Sequence, residues 1–388
     1  MISSDRLKAF GPRRGSAALG ALFLSVSAPC AAQAQAAATL DRLVDSAEVA
    51  DSDFGFRRGS FILAPVPFSN PTLDSGLLLG AGYLFTLPGS KPSGIGYGRL
   101  ESGNGSTGEA AGASLNFGQG LWTVFAFGGS AEVFYDLDLE GFELPIRQDG
   151  ELYALRVDRG VAQNLKIGAM LTYLDSSLAL DFPVFQELPE FLRPQGELEL
   201  GQITFDVVWD TRDDTFYPTS GMLASLKATY AEEIDSIFGG LIGVADETYT
   251  KIKAAASTYH ELGDQSVLAF QAQACTSSDG APFFDSCGVG LASGLRGFPS
   301  TGFISDASAS LQAEYRGTFN QRFGYAAFTA MGAGGDNLGS LSFDEGGISA
   351  GLGLRFRLSK RFGLDYRFDY ARNDRGDDFF YISLGQKF

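Results

Sequence analysis

Residues 351–358 read Gly351-Leu352-Gly353-Leu354-Arg355-Phe356-Arg357-Leu358: every even position is a large apolar side chain, every odd one Gly or Arg. A period of two belongs to an extended strand, whose successive side chains point to opposite faces, so one face here is greasy and the other charged. The same alternation sets Leu364, Tyr366, Phe368 and Tyr370 against Asp365, Arg367 and Asp369, and Leu311, Ala313 and Tyr315 against Gln312, Glu314 and Arg316.

A soluble sandwich alternates too, with its apolar faces inward. Three features favour lipid outside and water inside. First, Arg6, Lys8, Arg13 and Arg14 precede an apolar run over 17–28, and Ala32-Gln33-Ala34 and Ala34-Gln35-Ala36 both fit a signal-peptidase site, so 1–36 reads as a cleaved secretory signal. Pro29 directly before Cys30 argues against a lipoprotein. Second, alternating segments recur, centred near Ile62, Leu79, Tyr97, Ala113, Phe127, Leu155, Met170, Phe205, Leu226, Ala255, Phe270, Ala313, Phe328, Leu354, Phe368 and Ile382. Third, aromatic residues crowd strand ends, as in Tyr370 and Phe379-Phe380-Tyr381. In a bilayer every backbone amide needs an internal partner, so strands span only as a closed barrel. The expected architecture is all-β: a transmembrane antiparallel barrel of about sixteen strands over 58–388, preceded by a short acidic lead-in over 37–57 carrying Asp41, Asp45, Glu48, Asp51 and Asp53.

Composition narrows the function. The chain has 388 residues with 50 Gly, 33 Phe and 14 Tyr but one His, and a net charge of -17, which disfavours nucleic-acid binding and most metal or triad chemistry. No run approaches a membrane helix, no zinc spacing or phosphate-cradling loop is present, and neither metal nor cofactor is expected. Gly347-Ile348-Ser349-Ala350-Gly351 matches a nucleophile elbow, but alternation continues where a helix should follow and the sole candidate base, His260, lies on another strand, so no catalytic residue is assigned. Arg375-Gly376-Asp377 reads as an ordinary polar loop. Cys275 and Cys287 are either a disulfide or two free thiols, and a secretory compartment favours the disulfide.

Leu295-Arg296-Gly297-Phe298 sits in a long connection after the strand near Phe270, behind Pro282-Phe283-Phe284. It resembles the R-G-F/Y loop of the BamA/TamA superfamily, the bacterial surface antigen family. Further stretches resemble that family in order: Leu63 to Pro67 with Asn70-Pro71 and Gly76 to Gly80; the turn signature Asp210, Arg212, Asp213, Pro218 and Gly221; Glu314-Tyr315-Arg316; and Gly351 to Arg355. The terminal Phe388, sharing a face with Leu384, Ile382 and Phe380, resembles the signal by which outer-membrane barrels are recognised for insertion, although Gln386 interrupts that face.

The resemblance implies a bacterial outer-membrane barrel whose loop folds from the extracellular side into the lumen, its Arg296 pairing with an inner-wall carboxylate. Where the family carries an aspartate two residues after a strand phenylalanine, this chain has Ala330 after Phe328, which leaves Glu314 as the single partner and a loop held less firmly. Glu314 reads equally as a member of a lumenal ion lattice with Arg316 and Arg355. Residues 37–57 are too few for even one polypeptide-transport-associated domain, so the chain is read as a variant lacking them. The implied activity is helping protein or lipid enter or cross the membrane through a weak seam between first and last strands, where Pro65, Pro67 and Pro71 withhold amide donors; the same prolines read equally as ordinary protection of a strand edge. The implied partners are outer-membrane lipids, the barrel-assembly machinery for its own insertion, and a protein or lipid client. The alternative is a passive channel or structural barrel plugged by its own loop; an outer-membrane lipase is a third.

Overall fold

A computed structural model describes residues 60–384 apart from 71, 140–141, 183–194, 215–216, 238–247, 264, 291–294, 300–302 and 360–363. The signal peptide, the acidic lead-in, Pro71 and Phe388 lie outside the described residues. The first eight strands are β1 (Ser60–Asn70), β2 (Asp74–Thr86), β3 (Pro92–Ser102), β4 (Thr107–Phe117), β5 (Trp122–Leu139), β6 (Phe142–Ala162), β7 (Leu165–Leu180) and β8 (Gln195–Asp210). Eight more follow: β9 (Gly221–Ile237), β10 (Thr248–Glu261), β11 (Ser266–Ser277), β12 (Ala307–Thr318), β13 (Phe323–Gly335), β14 (Ser342–Ser359), β15 (Leu364–Asn373) and β16 (Asp378–Leu384). Each contains one of the sixteen centres read from the sequence. All pair antiparallel with their chain neighbours, and β1 returns to β16 to close the barrel.

The strand ends joined by the longest connections, 181–194, 238–247 and 278–306, are at one end of the barrel, and with a single exception (211–220) those joined by short ones such as 87–91, 118–121 and 163–164 are at the other. Outer-membrane barrels turn tightly on the periplasmic side and carry longer loops outside, which orients the wall.

Through its lower part the wall has the polarity that lipid demands. On β14 Leu352 and Leu354 are 67% and 61% exposed while Arg355 is 2% exposed; on β8 Phe205, Val207 and Trp209 face out while Thr204 and Asp206 are buried. Higher up, the same strands exchange faces. Outward β6 runs from Leu155 and Tyr153 to Glu151 and Asp149, outward β7 from Leu171 and Tyr173 to Asp175, and outward β8 from Phe205 to Glu199 and Glu197, in registers that keep these residues side by side. Inward, the polar Arg156, Thr172 and Thr204 give way to Ile146, Leu174, Leu178, Leu198 and Leu200.

The exchange falls at tyrosines whose rings lie on the apolar band and whose hydroxyls reach the carboxylates above it: Tyr97 to Glu109 at 2.8 Å, Tyr153 to Glu151 at 2.9 Å and Tyr173 to Glu199 at 3.0 Å. That is where an amphipathic ring settles at a membrane surface. Strands β5 to β9 have 18, 21, 16, 16 and 17 residues, well beyond the roughly 9–11 that a tilted strand needs to cross, so their upper parts stand clear of the bilayer. There they follow the rule of a water-soluble sheet, closing over an apolar cluster that includes Val133, Leu174 and Leu200 together with Val66 and Leu78 of β1 and β2. Lipid-facing polarity holds below the tyrosines, because above them the solvent outside is water.

This boundary is testable by reversible folding into lipid vesicles. Phe205→Arg should cost about 2–4 kcal/mol and Glu197→Arg about 0–1 kcal/mol. Equal costs would place the membrane surface elsewhere.

Candidate functional site: the β11–β12 connection and the inner wall

The connection 278–306 is fastened at several points. Cys287 is joined to Cys275 on β11, with 5.4 Å between their Cα atoms. Next comes a single 3-10 turn, Phe283–Asp285. Phe284 is buried in the upper apolar cluster, and Phe283 packs against it. The Asp285 carboxylate accepts from the Tyr249 hydroxyl at 2.5 Å and from Gln202 at 2.9 Å, and pairs with Lys251, tying the turn to β8 and β10. Further on, Val289, Leu295 and Phe298 pack together with Ala330 of β13, and the Cys287 amide donates to the Ser305 carbonyl at 2.8 Å.

The tip carries Arg296, whose side chain lies against the inner wall. Its Nη1 is 2.7 Å from Glu314 Oε2 on β12 and 3.0 Å from Asp369 Oδ2 on β15, and its guanidinium sits 3.7 Å above the Phe328 ring of β13. The Ser349 hydroxyl of β14 donates to the Arg296 carbonyl at 2.5 Å, and the Gly297 amide donates to the Tyr381 hydroxyl of β16 at 2.9 Å. Gly297 has φ +93°, and a Cβ there would lie 2.5 Å from the Ser349 Cβ, so both conformation and space require glycine. Five consecutive strands, β12 to β16, therefore hold one loop tip.

Glu314 does not hold Arg296 alone. It also pairs with Arg316 at 3.0 Å and Arg355 at 3.5 Å, while Asp369 pairs with Arg355 at 2.5 Å and Arg367 at 2.9 Å. The expectation of a single partner thus needs correction: four guanidiniums share two carboxylates, and Arg296 is placed between both. Ala330 supplies an apolar seat for Leu295 and Phe298, and the second carboxylate comes from β15. Asp369 was visible in the alternating stretch 364–370 as an inward charge, but only the β14–β15 register, which sets it opposite Gly353, brings it beside Arg355.

The turn signature forms a second insertion, from the periplasmic side. Arg212 makes a bidentate pair with Asp210 at 2.9 and 2.7 Å. Partial burial pushes the Asp213 carboxyl up, but the Thr219 hydroxyl at 2.5 Å and the Ser220 and Thr219 amides at 3.1 and 2.9 Å outweigh it and hold the group below the ordinary carboxylate range. Gly221 has φ +95°, and a Cβ would lie 2.3 Å from the Thr211 carbonyl oxygen. Pro218 is buried. Beside it Tyr217 reaches the distant wall, where the Arg357 guanidinium lies 5.1 Å from its ring centre. Burial first, then the Asp365 carboxylate, push its phenol well up. Sequence reading left Tyr217 out, since nothing local marks a contact between the β8–β9 turn and β14–β15.

Ser349 and His260 cannot cooperate. Ser349 is buried on the inner face with its hydroxyl engaged by the loop, whereas His260 is exposed on the outer face, its ring 6.3 Å from that of Phe270.

A closed wall that is apolar outward and charged inward, with a tyrosine belt where the polarity changes, defines an integral β-barrel of the bacterial outer membrane. The model described as the Omp85 superfamily domain matches residues 155–388, and the chain belongs to that family. Among solved structures it resembles BamA from Haemophilus ducreyi lacking POTRA domains 1–3, at 14% identity and a TM-score of 0.56, over 84% of this chain and 70% of that one. It also resembles CdiB from Escherichia coli (14% identity, TM-score 0.54, 89% and 71% of the two chains) and CdiB from Acinetobacter baumannii (10%, 0.54, 89% and 67%). At such identities these likenesses speak for the fold. No curated protein matches the chain.

Because positive charge outnumbers negative at the cluster, its members are not equivalent. Glu314→Gln and Asp369→Asn should each cost about 3–5 kcal/mol of folding stability, since each leaves buried guanidiniums uncompensated. Arg296→Ala should cost clearly less in the same urea titrations; an equal cost would show that the excess is not felt. Cys287→Ser should cost about 3 kcal/mol, and peptide mapping of the unreduced protein should find no free thiol at 275 or 287.

Proposed function

We propose that this barrel helps protein or lipid enter or cross the outer membrane, by non-covalent means, at the seam between β1 and β16. The observation that carries this reading is the ladder at that seam. Where the described residues of β1 and β16 face each other, 67–70 against 381–384, only Ser69 and Ile382 are in register, whereas β1 pairs with β2 at every one of positions 67–70. A strand edge that leaves ladder positions unpaired can add a strand from an incoming chain, and in lipid it has no water to satisfy it instead. Pro65 and Pro67 share one parity on β1, so both missing amide donors fall on the same edge. Outer-membrane lipid surrounds the wall in this reading, and the barrel-assembly machinery inserts it. The packing of Phe284 among Val133, Leu174 and Leu200 disfavours the alternative of a passive channel, because it fills the upper lumen with apolar side chains.

The test uses Ser69→Cys with Ile382→Cys, both in the full chain with its native cysteines. Reconstituted barrels should accelerate insertion of an unfolded outer-membrane barrel protein into vesicles, or transfer of a labelled phospholipid between them. Bridging the two new cysteines with a bifunctional maleimide should abolish that acceleration, whereas either single cysteine treated alike should leave it. Unchanged acceleration with the seam bridged, or none from the unmodified barrel in both assays, would remove the proposal.

A further inference from the structure

Just above the tyrosine belt the outer face of the wall is hollowed into a groove of about 520 Å3 running from β3 to β7, within the roughly 300–1,000 Å3 range of ligand sites. Registered rows build it. Gly108, Ala131 and Gly150 lie side by side across β4, β5 and β6, where their minimal side chains leave backbone as the floor. On the membrane side of that row Glu109, Ser130, Glu151 and Asp175 stand each opposite the next across β4 to β7, and on the far side Glu132 stands opposite Asp149. Five carboxylates therefore line the groove against one guanidinium, that of Arg99, which pairs with Glu101 at 3.1 Å. Beside the groove Arg147 pairs with Glu132 at 2.7 Å and with Asp149 at 3.4 Å, and carboxylates still predominate.

The sheet keeps this charge at a cost to itself. Glu151 faces Asp175 and Asp175 faces Glu199, and like charges directly opposite each other are destabilising. Partial burial first, then Glu199 and Glu151, push the Asp175 carboxyl above the ordinary carboxylate range. Departures of this kind from local consistency are expected where a surface has work to do. Charge and span then select the occupant. Among the described residues no group of three or more His, Cys, Asp or Glu is placed to hold a metal ion, so the negative charge is spread out, not focused on a point. From Glu109 on β4 to Glu199 on β8 the row extends for about 19 Å, the length of an extended segment of about six residues. An anionic head group at the membrane surface is repelled by such a face, and a cationic chain is drawn to it. We propose that this groove docks an extended, Lys- or Arg-rich polypeptide segment of a partner protein at the outer surface of the membrane. The site stands apart from the seam and does not depend on its opening.

Fluorescence anisotropy of dye-labelled hexalysine, titrated with the folded full-length barrel in non-ionic detergent at low ionic strength, tests it. Saturable binding of one peptide per barrel is expected, weakening as salt is added. Glu151→Gln with Asp175→Asn should weaken binding about fivefold, the size expected for two largely exposed ion pairs. Because that pair of changes removes opposed like charges, the barrel should keep its fold; Glu109→Gln with Glu132→Gln is the second groove variant should it not. Asp336→Asn with Asp344→Asn, an equal loss of charge at exposed positions around the β13–β14 turn, should leave binding unchanged. The proposal is overturned if hexalysine does not bind saturably, if the control pair weakens binding as much as the groove pair, or if magnesium at equal ionic strength displaces the peptide completely, which would make the groove a seat for small cations.

Discussion

A backbone amide inside a bilayer has no water to turn to, so a sheet there must close, and closure is only as good as its weakest ladder. Fifteen of the sixteen junctions in this wall are long hairpin pairings between chain neighbours. The sixteenth joins the first strand to the last, and over the described residues that face each other there, 67–70 and 381–384, only Ser69 and Ile382 are in register. The β11–β12 connection bears on both sides of that junction from within. Its first half buries Phe284 in the cluster to which Val66 of β1 belongs, and its tip is bound by Asp369 and Tyr381 on β15 and β16. What the ladder lacks in hydrogen bonds is offset by a strap across the lumen.

The two halves of that strap use different physics because they lie at different heights. Above the tyrosine belt the inner face is largely apolar, and Phe284 packs there by non-directional hydrophobic contact beside the hydrogen bonds of Asp285 to Tyr249 and Gln202. Below it the inner face is charged, and contact is made by guanidinium forks whose geometry tolerates little displacement. The disulfide between Cys275 and Cys287 anchors the connection's outgoing limb to β11.

Much of this was legible in the sequence, because a period of two and a count of segments are local properties. So was the loop motif, with Arg296 facing Glu314. Three features were not. The exchange of faces along β6, β7 and β8 keeps the alternation intact and reverses only its sense, so Glu151 and Asp175 read as inward until the registers place them beside Tyr153 and Tyr173. Asp369 and Ser349 meet the loop only because the barrel curves β14 and β15 around it, and Ser349 carried a misleading catalytic pattern. Tyr217 touches a wall some 140 residues away in sequence, a distance over which periodicity carries no information.

The contacts are unevenly shared, and this bears on how such a wall could part. Arg296 and Gly297 grip β12 to β16 by ion pairs and hydrogen bonds, and Tyr217 from the opposite mouth adds a contact with β14. The lumenal packing of β1 is apolar, through Val66 and Phe68. Shifting a strand against apolar neighbours sacrifices area gradually, whereas displacing β15 would strip Asp369 of Arg296 and Arg355 at once. If the seam opens, β16 is therefore the fixed edge and β1 the one that moves, and the prolines of β1 lie on the strand whose release breaks the fewest directional bonds.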